Sequence, residues 1–452
     1  MKKRHIALAA LALVSIGAGT AAYVASPTIH EGNPGETPEL GRYGQYQVGT
    51  QELLIGVPDR VSFSKAGMAT GQLSEEEEMP ALQVRIYYPA ETRSVAPPIT
   101  YSHTMNPPAM DPLTLEFEGR AHPDAPAMSA EQLGGKLPLV IMSHGFNGWS
   151  TQFSNLAEHI ASRGYIVASI DHADMQIEGV SDLVHSFSLV LTNRTIDQRA
   201  VLAEMLEGSA ANSDGFYALI DPEQVAVIGY SMGGYGALAT AGGDYNYESS
   251  TFDTVPSAAL DVTRSIVGKD AGIDAVVLFA PWGGQPDNRV WSAESLATIT
   301  APTLVVSGGQ DDVSNHAEGV NWIFDQLKGA DRHMLTFREA RHNIVGNAFD
   351  VPADAPFRVA EFLSEPVWRQ DRINGINQHF VAAFLDLHLK GDADKASYLN
   401  VPVVNGNDGS WPTGFGEQLN GEFAGPDEPE HWRGFQKRWA AGLDLRSKSA
   451  GE

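Results

Sequence analysis

Short, continuous runs of apolar residues recur along the middle of the chain and are separated by segments with helical periodicity. Runs of this length without polar alternation are typical of parallel strands that are buried on both faces. Strands that alternate with helices predict a mostly parallel sheet covered by helices on both sides. The runs occur at 139–142, 165–170, 225–228, 275–279, 303–307 and 334–337. The pattern therefore predicts an α/β fold, with a doubly wound, mostly parallel sheet and helices on both faces.

Three further segments carry apolar residues at the spacing of helices that pack on a sheet. They lie at 153–161, 198–207 and 376–389. Another strand is predicted ahead of the series, because residues 82–88 alternate between apolar and polar side chains and stop at Pro89. This alternation is typical of an antiparallel strand near the beginning of the fold.

The uninterrupted series of elements favours one enlarged domain in this chain of 452 residues, although an average domain has only about 150. We place that domain at residues 47–400 and treat the long stretch at 96–135, which contains Pro and Met, as an insertion loop. Residues 401–452 form a C-terminal extension. It carries three aromatic residues at helical spacing between 432 and 439, and we expect it to pack on the body.

The first 25 residues look like an export signal. Basic residues at 2–4 and a histidine precede an uncharged run at 6–25 that is rich in Ala and Leu, which predicts a periplasmic or secreted protein. Because a run of this length can also cross a bilayer, retention as an N-terminal anchor is the alternative. Residues 26–46 lack periodicity and contain Pro, Gly and Glu, so they are predicted to be a linker.

Charge and composition exclude several classes of function. A formal net charge of −26 repels nucleic acid and anionic membrane surfaces, so neither is expected as a partner. The chain has no cysteine, which rules out disulfides, thiolate zinc sites and a cysteine nucleophile. No glycine-rich nucleotide loop is present, so no cofactor is implied. We expect no metal site, and the composition leaves the oligomeric state open.

A candidate nucleophile follows the run at 225–228. Gly229, Tyr230, Ser231, Met232 and Gly233 form a G-x-S-x-G motif, and the small residues after it are compatible with a helix. A strand that turns directly into a helix leaves no room for side chains on either side of a strained serine, which is why the motif needs two glycines. The pattern predicts that Ser231 is a nucleophile at the carboxyl end of a strand.

A serine hydroxyl needs a base, and the base needs an acid that orients it. Asp311 follows the strand at 303–307, and His342 follows the next strand, so both fall on loops at the carboxyl end of the predicted sheet. We prefer Asp311 to its neighbour Asp312, because the Asp-x-Val pattern places the first aspartate at the turn. His333 is the nearest alternative base, but it opens its strand at the opposite end of the sheet.

The negatively charged oxygen of a tetrahedral intermediate also needs hydrogen-bond donors. One is expected at the backbone N–H of Met232, directly after the nucleophile, and the other at the N–H of Phe146 on the loop after the strand at 139–142. His144 precedes this loop, and we expect it to hold the loop by hydrogen bonds rather than to react. His144, His172 and Asp174 also suggest a metal site, but we interpret them as polar residues at strand ends and predict no metal there.

At these motifs the chain resembles the dienelactone hydrolase-like branch of the α/β-hydrolases, which includes proteins similar to platelet-activating-factor acetylhydrolases and cutinase-like polyesterases. The resemblance covers residues 82–392. It implies an α/β-hydrolase fold in which Ser231 is the nucleophile, Asp311 the acid and His342 the base, with Phe146 and Met232 as the oxyanion pair. It depends on the segments SHGFNG (143–148), VAVIGYSMGGYGAL (225–238), TLVVSGGQDDVS (303–314), REARHN (338–343) and INQHFVAAFLDLHLKGD (376–392). Dienelactone hydrolases use cysteine where this chain has serine, so a different ester is expected.

Aromatic residues beside the predicted site are candidates for contact with an apolar acyl group. Trp149 follows the loop at 145–148 that contains Phe146, which we call the oxyanion loop. Trp282 follows the strand at 275–279, and Tyr230 precedes the predicted nucleophile. The leading hypothesis is an exported serine hydrolase that cleaves a small-molecule or polymeric carboxylic ester through an acyl-enzyme. The alternatives are a peptidase or amidase with the same three residues, and a hydrolase-like scaffold that binds without turnover.

Overall fold

The computed structural model describes residues 37–452 except 75–79, 92–96, 107–110, 173, 213, 352–354, 412–429 and 437. The predicted signal segment at 1–25 and the first part of the predicted linker lie outside the described residues. Among the helices that are described, none is long and apolar enough to cross a membrane.

The described residues contain strands that we number β1 to β12 in chain order. Their bounds are Gln47–Ile55, Leu82–Ala90, Thr100–Met105, Leu113–Glu118, His122–Pro123, Leu137–Ser143, Ile166–Asp171, Ile220–Tyr230, Ala275–Phe279, Thr303–Gly308, Arg332–Phe337 and Leu443–Lys448. The α-helices are numbered α1 to α11 in the same way. Their bounds are Lys65–Thr70, Ala130–Leu133, Ser154–Ser162, Val180–Ala211, Met232–Thr240, Ser257–Ile266, Ala293–Leu296, Asn321–Gln326, Phe357–Leu363, Gln370–His388 and Ala396–Leu399.

Ten strands form one sheet in the order β12-β11-β10-β9-β8-β6-β7-β2-β1-β5, and β3 pairs with β4 in a separate hairpin. The six central strands from β11 to β7 are parallel to one another. Strands β2 and β1 extend the sheet antiparallel at one side, and β12 pairs antiparallel with β11 at the other.

Both faces of the sheet are buried, because consecutive residues of the central strands enter different hydrophobic clusters. In β6, Leu139 and Ile141 pack into the cluster on one side, and Val140 and Met142 pack into the cluster on the other. Helices α4 and α5 lie on the first side, and α3 and α10 on the second. The predicted fold class is confirmed: the sheet is doubly wound and mostly parallel, with helices on both faces, as in the α/β-hydrolase fold.

The predicted linker at 26–46 differs from the structure in its described part. Residues 37–46 pack against the body: Leu40 is buried, and its amide donates to His379 Nδ1 on α10 at 3.0 Å. The Glu39 amide donates to the carbonyl of Gly434 at 2.9 Å. The segment forms only one short 3-10 turn, so its sequence has no periodicity to reveal that it is folded.

The insertion at 96–135 is also more ordered than a loop, because it contains the β3–β4 hairpin. Tyr101 on β3 donates its hydroxyl proton to the buried Glu158 on α3 at 2.7 Å, which ties the hairpin to the body. Leu115 on β4 joins a small satellite cluster with Trp149 and with Val359 and Leu363 of α9. The hairpin therefore packs against the face of α9 that carries Val359 and Leu363.

The C-terminal extension does more than pack on the body. Trp432 and Phe435 are buried against Phe380 of α10, and the segment then adds β12 to the sheet. On β12, Leu443 and Leu445 are buried and pair in register with Phe337 and Leu335 of β11. The added strand covers the edge of β11, the strand that precedes His342.

We expect the substitution Leu445→Ala to lower the free energy of unfolding by about 2–5 kcal/mol, because it opens a cavity in a packed face of the sheet. The matched control is Leu54→Ala on β1, where the leucine side chain is 74% exposed and the cost should stay within about 0.5 kcal/mol. Urea unfolding followed by tryptophan fluorescence measures both. Equal losses in the two variants would show that β12 is not part of the stable sheet.

Candidate active site

The candidate site lies where the order of strands in the sheet changes direction. Strand β6 has β7 on one side and β8 on the other, so the chain leaves β6 and β8 at a switch point, where doubly wound sheets form a crevice. In this register Ser143 of β6 pairs with Gly229 of β8. Gly145 and Ser231 follow two residues after this pair, just beyond the ends of the two strands.

Ser231 occupies a strained turn between β8 and α5. Its backbone has φ 52° and ψ −113°, a conformation that residues with side chains rarely adopt and that costs about 1–3 kcal/mol. The turn is held by hydrogen bonds on both sides of the residue. Its N–H donates to the Phe279 carbonyl at 2.9 Å, and its carbonyl accepts from the amides of Tyr235 at 3.0 Å and Trp282 at 3.2 Å.

The two glycines of the motif are required by close backbone contacts. A Cβ atom at Gly229 would lie 2.2 Å from the carbonyl oxygen of Gly233, and one at Gly233 would lie 2.2 Å from that of Ser143. Gly145 is similarly close to the nucleophile, because a Cβ there would come 3.2 Å from Ser231 Cβ. The loop after β6 can therefore approach the serine only if no side chain separates them.

The structure joins His342 to Asp311. His342 Nδ1 lies 2.9 Å from Asp311 Oδ2, and the other carboxylate oxygen accepts the backbone N–H groups of Val313 at 2.9 Å and Ser314 at 3.0 Å. Burial alone would raise the pKa of Asp311, but the facing His342 and these two amides stabilise the carboxylate more strongly, and the pKa lies below its usual value. An ionised Asp311 can orient His342 and stabilise its protonated form.

The rival residues have other partners. Asp312 is exposed and pairs with the Arg341 guanidinium, with Nη2 and Oδ2 2.6 Å apart. His333 lies near the start of β11, and its Nδ1 is 2.7 Å from the Ser447 hydroxyl on β12. In these contacts Asp312 engages Arg341 and His333 engages Ser447, so neither replaces Asp311 or His342 in the pair described above.

A cavity of about 700 Å³ opens over the nucleophile. Ser231, His342, Gly145 and Phe146 line it together, so the predicted nucleophile, base and oxyanion loop share one space. Met232 begins α5 directly behind Ser231 and is buried. The remaining lining residues are Gln152, Tyr230, Asp312, Val313, Arg341, Asn343, Phe357, Arg358, Ala360, Glu361, Phe362, Ser364 and Pro366.

Of the three aromatic residues predicted to contact substrate, Tyr230 lines the cavity, and its ring lies 5.1 Å from that of His342. The other two assignments need correction. Trp149 is buried in the satellite cluster and stacks on His103 with ring centroids 3.9 Å apart, and Trp282 is buried against Phe187. Both follow the expected strand ends, but tertiary packing turns their rings away from the cavity.

Helix α9 forms part of the cavity wall, and it is not predicted from the sequence. Phe357 is 75% exposed and Phe362 is 37% exposed at the cavity, whereas Val359 and Leu363 on the same short helix face the satellite cluster. Apolar residues on both faces of a helix are the one signal that could have marked it. Arg341 connects this wall to the loop after β10 by pairing with both Glu361 and Asp312.

One family model matches part of the chain. Residues 36–179 match the model described as platelet-activating factor acetylhydrolase, isoform II. This match confirms the resemblance that the sequence motifs indicated, and it supports a hydrolase that acts on esters. The matched segment includes β1, β2, β6, β7 and the oxyanion loop, and it ends before Ser231, Asp311 and His342.

Histidines near the site make hydrogen bonds within the protein. His144 is fully buried, and its Nδ1 lies 2.6 Å from the Gly145 carbonyl oxygen, in agreement with the structural role predicted for it. His172 lies between the Ser143 hydroxyl at 2.7 Å and Asp197 at 2.9 Å. In the described part of the chain, no three His, Asp or Glu side chains are grouped so that they could hold a metal ion.

The contacts around the turn predict the effect of Gly233→Ala. The new methyl group would overlap the Ser143 carbonyl, so we expect the free energy of unfolding to fall by at least about 1–3 kcal/mol. Gly56→Ala is the control, because a Cβ atom there meets nothing within 4 Å. This substitution should change the free energy of unfolding by less than about 1 kcal/mol. Urea unfolding of both variants tests this, and a fully stable Gly233→Ala would contradict the close contact of β6 with the turn.

Proposed function

We propose that this protein is a serine hydrolase that cleaves carboxylic esters through an acyl-enzyme, with Ser231 as nucleophile, His342 as base and Asp311 as orienting acid. The observation that carries the proposal is the 2.9 Å contact between His342 Nδ1 and Asp311 beside the cavity that Ser231 also lines. Because Asp311 engages Nδ1, Nε2 is the ring nitrogen available to the serine.

In the first half of the proposed reaction, the Ser231 oxygen attacks the ester carbonyl carbon while His342 Nε2 takes the hydroxyl proton. The carbonyl oxygen becomes an oxyanion, which the N–H groups of Phe146 and Met232 stabilise. The intermediate collapses by breaking the bond to the alcohol oxygen. His342 returns the proton to that oxygen, so that the alcohol leaves and the acyl group remains on Ser231.

In the second half, a water molecule attacks the acyl carbon and gives one proton to His342. The second tetrahedral intermediate breaks its bond to the Ser231 oxygen, which recovers the proton from His342, and the carboxylic acid is released. Asp311 keeps the imidazole in the correct tautomer throughout and stabilises its charged form.

The cavity favours an ester with an apolar part. Phe146, Val313, Phe357 and Phe362 contribute its apolar wall, whereas Arg358 belongs to the polar side of its lining. The matched family model is described as an acetylhydrolase, so acetyl esters are the first substrates to test. A cavity of about 700 Å³ also has room for longer acyl groups.

We also propose that the protein is exported, on the basis of the basic residues and the apolar run at the N-terminus. Retention of that run as an anchor stays the alternative. The amidase alternative is separated by paired ester and anilide substrates, because an amine is a poorer leaving group than an alcohol.

Replacement of the acid should separate two adjacent aspartates. We expect Asp311→Asn to lower kcat by about 10⁴-fold, because the amide favours the wrong histidine tautomer. Asp312→Asn should change kcat by less than about threefold, since this exposed side chain pairs with Arg341. Hydrolysis of p-nitrophenyl acetate by the two variants measures the difference. The assignment fails if Asp312→Asn proves to be the inactive variant.

Replacement of the nucleophile tests the reaction class. We expect Ser231→Ala to abolish turnover of p-nitrophenyl acetate, butyrate and octanoate, and to abolish labelling by a fluorophosphonate, because the proposed acyl-enzyme forms on the Ser231 hydroxyl. The wild-type protein should hydrolyse at least one ester and become labelled. If neither protein hydrolyses or becomes labelled, the binding-scaffold alternative replaces the proposal.

A further inference from the structure

Behind the oxyanion loop, one face of the long helix α4 carries two polar residues that are completely buried. Arg194 and Gln198 are four residues apart, so they lie on the same side of the helix. Gln198 Nε2 donates to the carbonyl of Gly233 at 3.0 Å, next to the nucleophile turn. Arg194 contacts the oxyanion loop. The two side chains together therefore contact both backbone segments that border Ser231.

The Arg194 guanidinium binds the oxyanion loop in two ways. Its Nη2 donates to the Gly145 carbonyl at 3.2 Å and to Asp174 Oδ2 at 2.7 Å. The same Asp174 oxygen accepts the backbone N–H of Asn147 at 2.8 Å. The charged pair is almost fully shielded from solvent, with 1% and 4% of the two side chains exposed. A buried pair of this kind keeps its geometry, because either charge alone would be costly to bury.

The Gly145 carbonyl is the other end of the peptide unit that contains the Phe146 N–H. None of the described peptide bonds is cis, and in a trans peptide the C=O and N–H groups point in opposite directions. Donors that hold the carbonyl on the α4 side therefore direct the Phe146 N–H toward the cavity and Ser231. The carbonyl is also held by the Gly148 amide at 3.2 Å and by His144 Nδ1 at 2.6 Å.

The His144 ring is fixed in the form that this role requires. Its Nε2 accepts the backbone N–H of His172 at 3.0 Å, so Nδ1 carries the proton and donates to Gly145. Burial, reinforced by the nearby Arg194, lowers the pKa of His144, and the ring stays neutral. His144 and Arg194 thus both act as donors to one carbonyl oxygen.

We propose that Arg194 is a positioning residue of the oxyanion hole: by binding the Gly145 carbonyl and Asp174, it fixes the peptide unit whose N–H, on Phe146, faces the developing oxyanion. The inference rests on the proposed function of Ser231. Hydrogen bonds at the carbonyl also polarise the amide, so the N–H becomes a better donor while its direction is set. No step of the reaction involves Arg194 itself.

The packing of α4 on α5 makes this contact feasible. A Cβ atom at Gly236 on α5 would lie 2.9 Å from Arg194 Cγ and 2.6 Å from Gln198 Nε2. A glycine at this position therefore lets α4 approach closely enough for Arg194 to reach behind the nucleophile to the oxyanion loop.

The test compares four full-length proteins: wild type, Arg194→Met, Arg194→Lys, and the double variant Arg194→Met/Asp174→Asn. The double variant removes both charges of the buried pair, so neither charge is left unpaired. We expect Arg194→Met to lower kcat for p-nitrophenyl acetate by about 10- to 1,000-fold with little change in KM, the upper limit being the loss of one oxyanion donor. Binding of a trifluoromethyl ketone, which forms a tetrahedral adduct with Ser231, should weaken by the same factor. Arg194→Lys should recover part of both.

The control for a purely structural effect is Met205→Ala, a buried change on the same helix that is remote from the loop. It should lower the melting temperature and leave kcat unchanged. An equal fall of kcat in Met205→Ala, or a fall in Arg194→Met without weaker binding of the ketone, would overturn the inference.

Hydrogen exchange separates this inference from the proposed function, because it needs no activity. Amide exchange in the peptide that contains residues 144–148 should be faster in Arg194→Met and in the double variant than in wild type. Unchanged exchange would overturn the inference even in an active enzyme. A wild-type protein without esterase activity or fluorophosphonate labelling would instead refute the proposed function, and the inferred effect of Arg194 on turnover would be refuted with it.

Discussion

The candidate site depends on the close approach of two backbone segments at the carboxyl ends of β6 and β8. Gly229, Gly233 and Gly145 leave no side chain between the oxyanion loop and the turn that carries Ser231. The strained conformation of the serine is maintained by hydrogen bonds to β9 and to the start of α5. If these segments moved apart, Ser231 would lose its contact with the Gly145 loop, which carries the N–H group proposed as an oxyanion donor.

Asp311 and His342 lie apart from this turn, on the loops after β10 and β11. Their positions depend on the register of those two strands, in which Gly308 pairs with Phe337. Backbone amides then fix the Asp311 carboxylate, which fixes the His342 ring in turn. Because β12 covers the outer edge of β11, the C-terminal segment stabilises the strand that leads to His342.

Buried polar groups hold the site from behind, whereas apolar packing shapes its entrance. Arg194, His144 and Asp174 form a shielded network of hydrogen bonds and one ion pair under the oxyanion loop. At the entrance, α9 rests on Trp149 and Leu115 and exposes Phe357 to the cavity. In the proposed mechanism the two arrangements serve different needs: the network restricts the direction of the Phe146 N–H group, and the apolar wall contacts the acyl group.

The sequence by itself determined the central parallel sheet, the strand–turn–helix at Ser231 and the strand ends that carry Asp311 and His342. These features have local signals, because a strand buried on both faces is continuously apolar and a tight turn needs glycine. Even the choice of Asp311 over Asp312 followed from the turn pattern, although only the structure shows that Asp312 pairs with Arg341.

The tertiary structure decided the rest, because the relevant contacts join residues that are far apart in sequence. The Leu40 amide donates to His379, and β12 pairs with β11, which lies more than a hundred residues earlier in the chain. Trp149 and Trp282 follow the right strands, but neighbouring side chains turn their rings into the interior. Arg194 carries no signal in the sequence, since its role depends on which loop lies beside α4 once the sheet has formed.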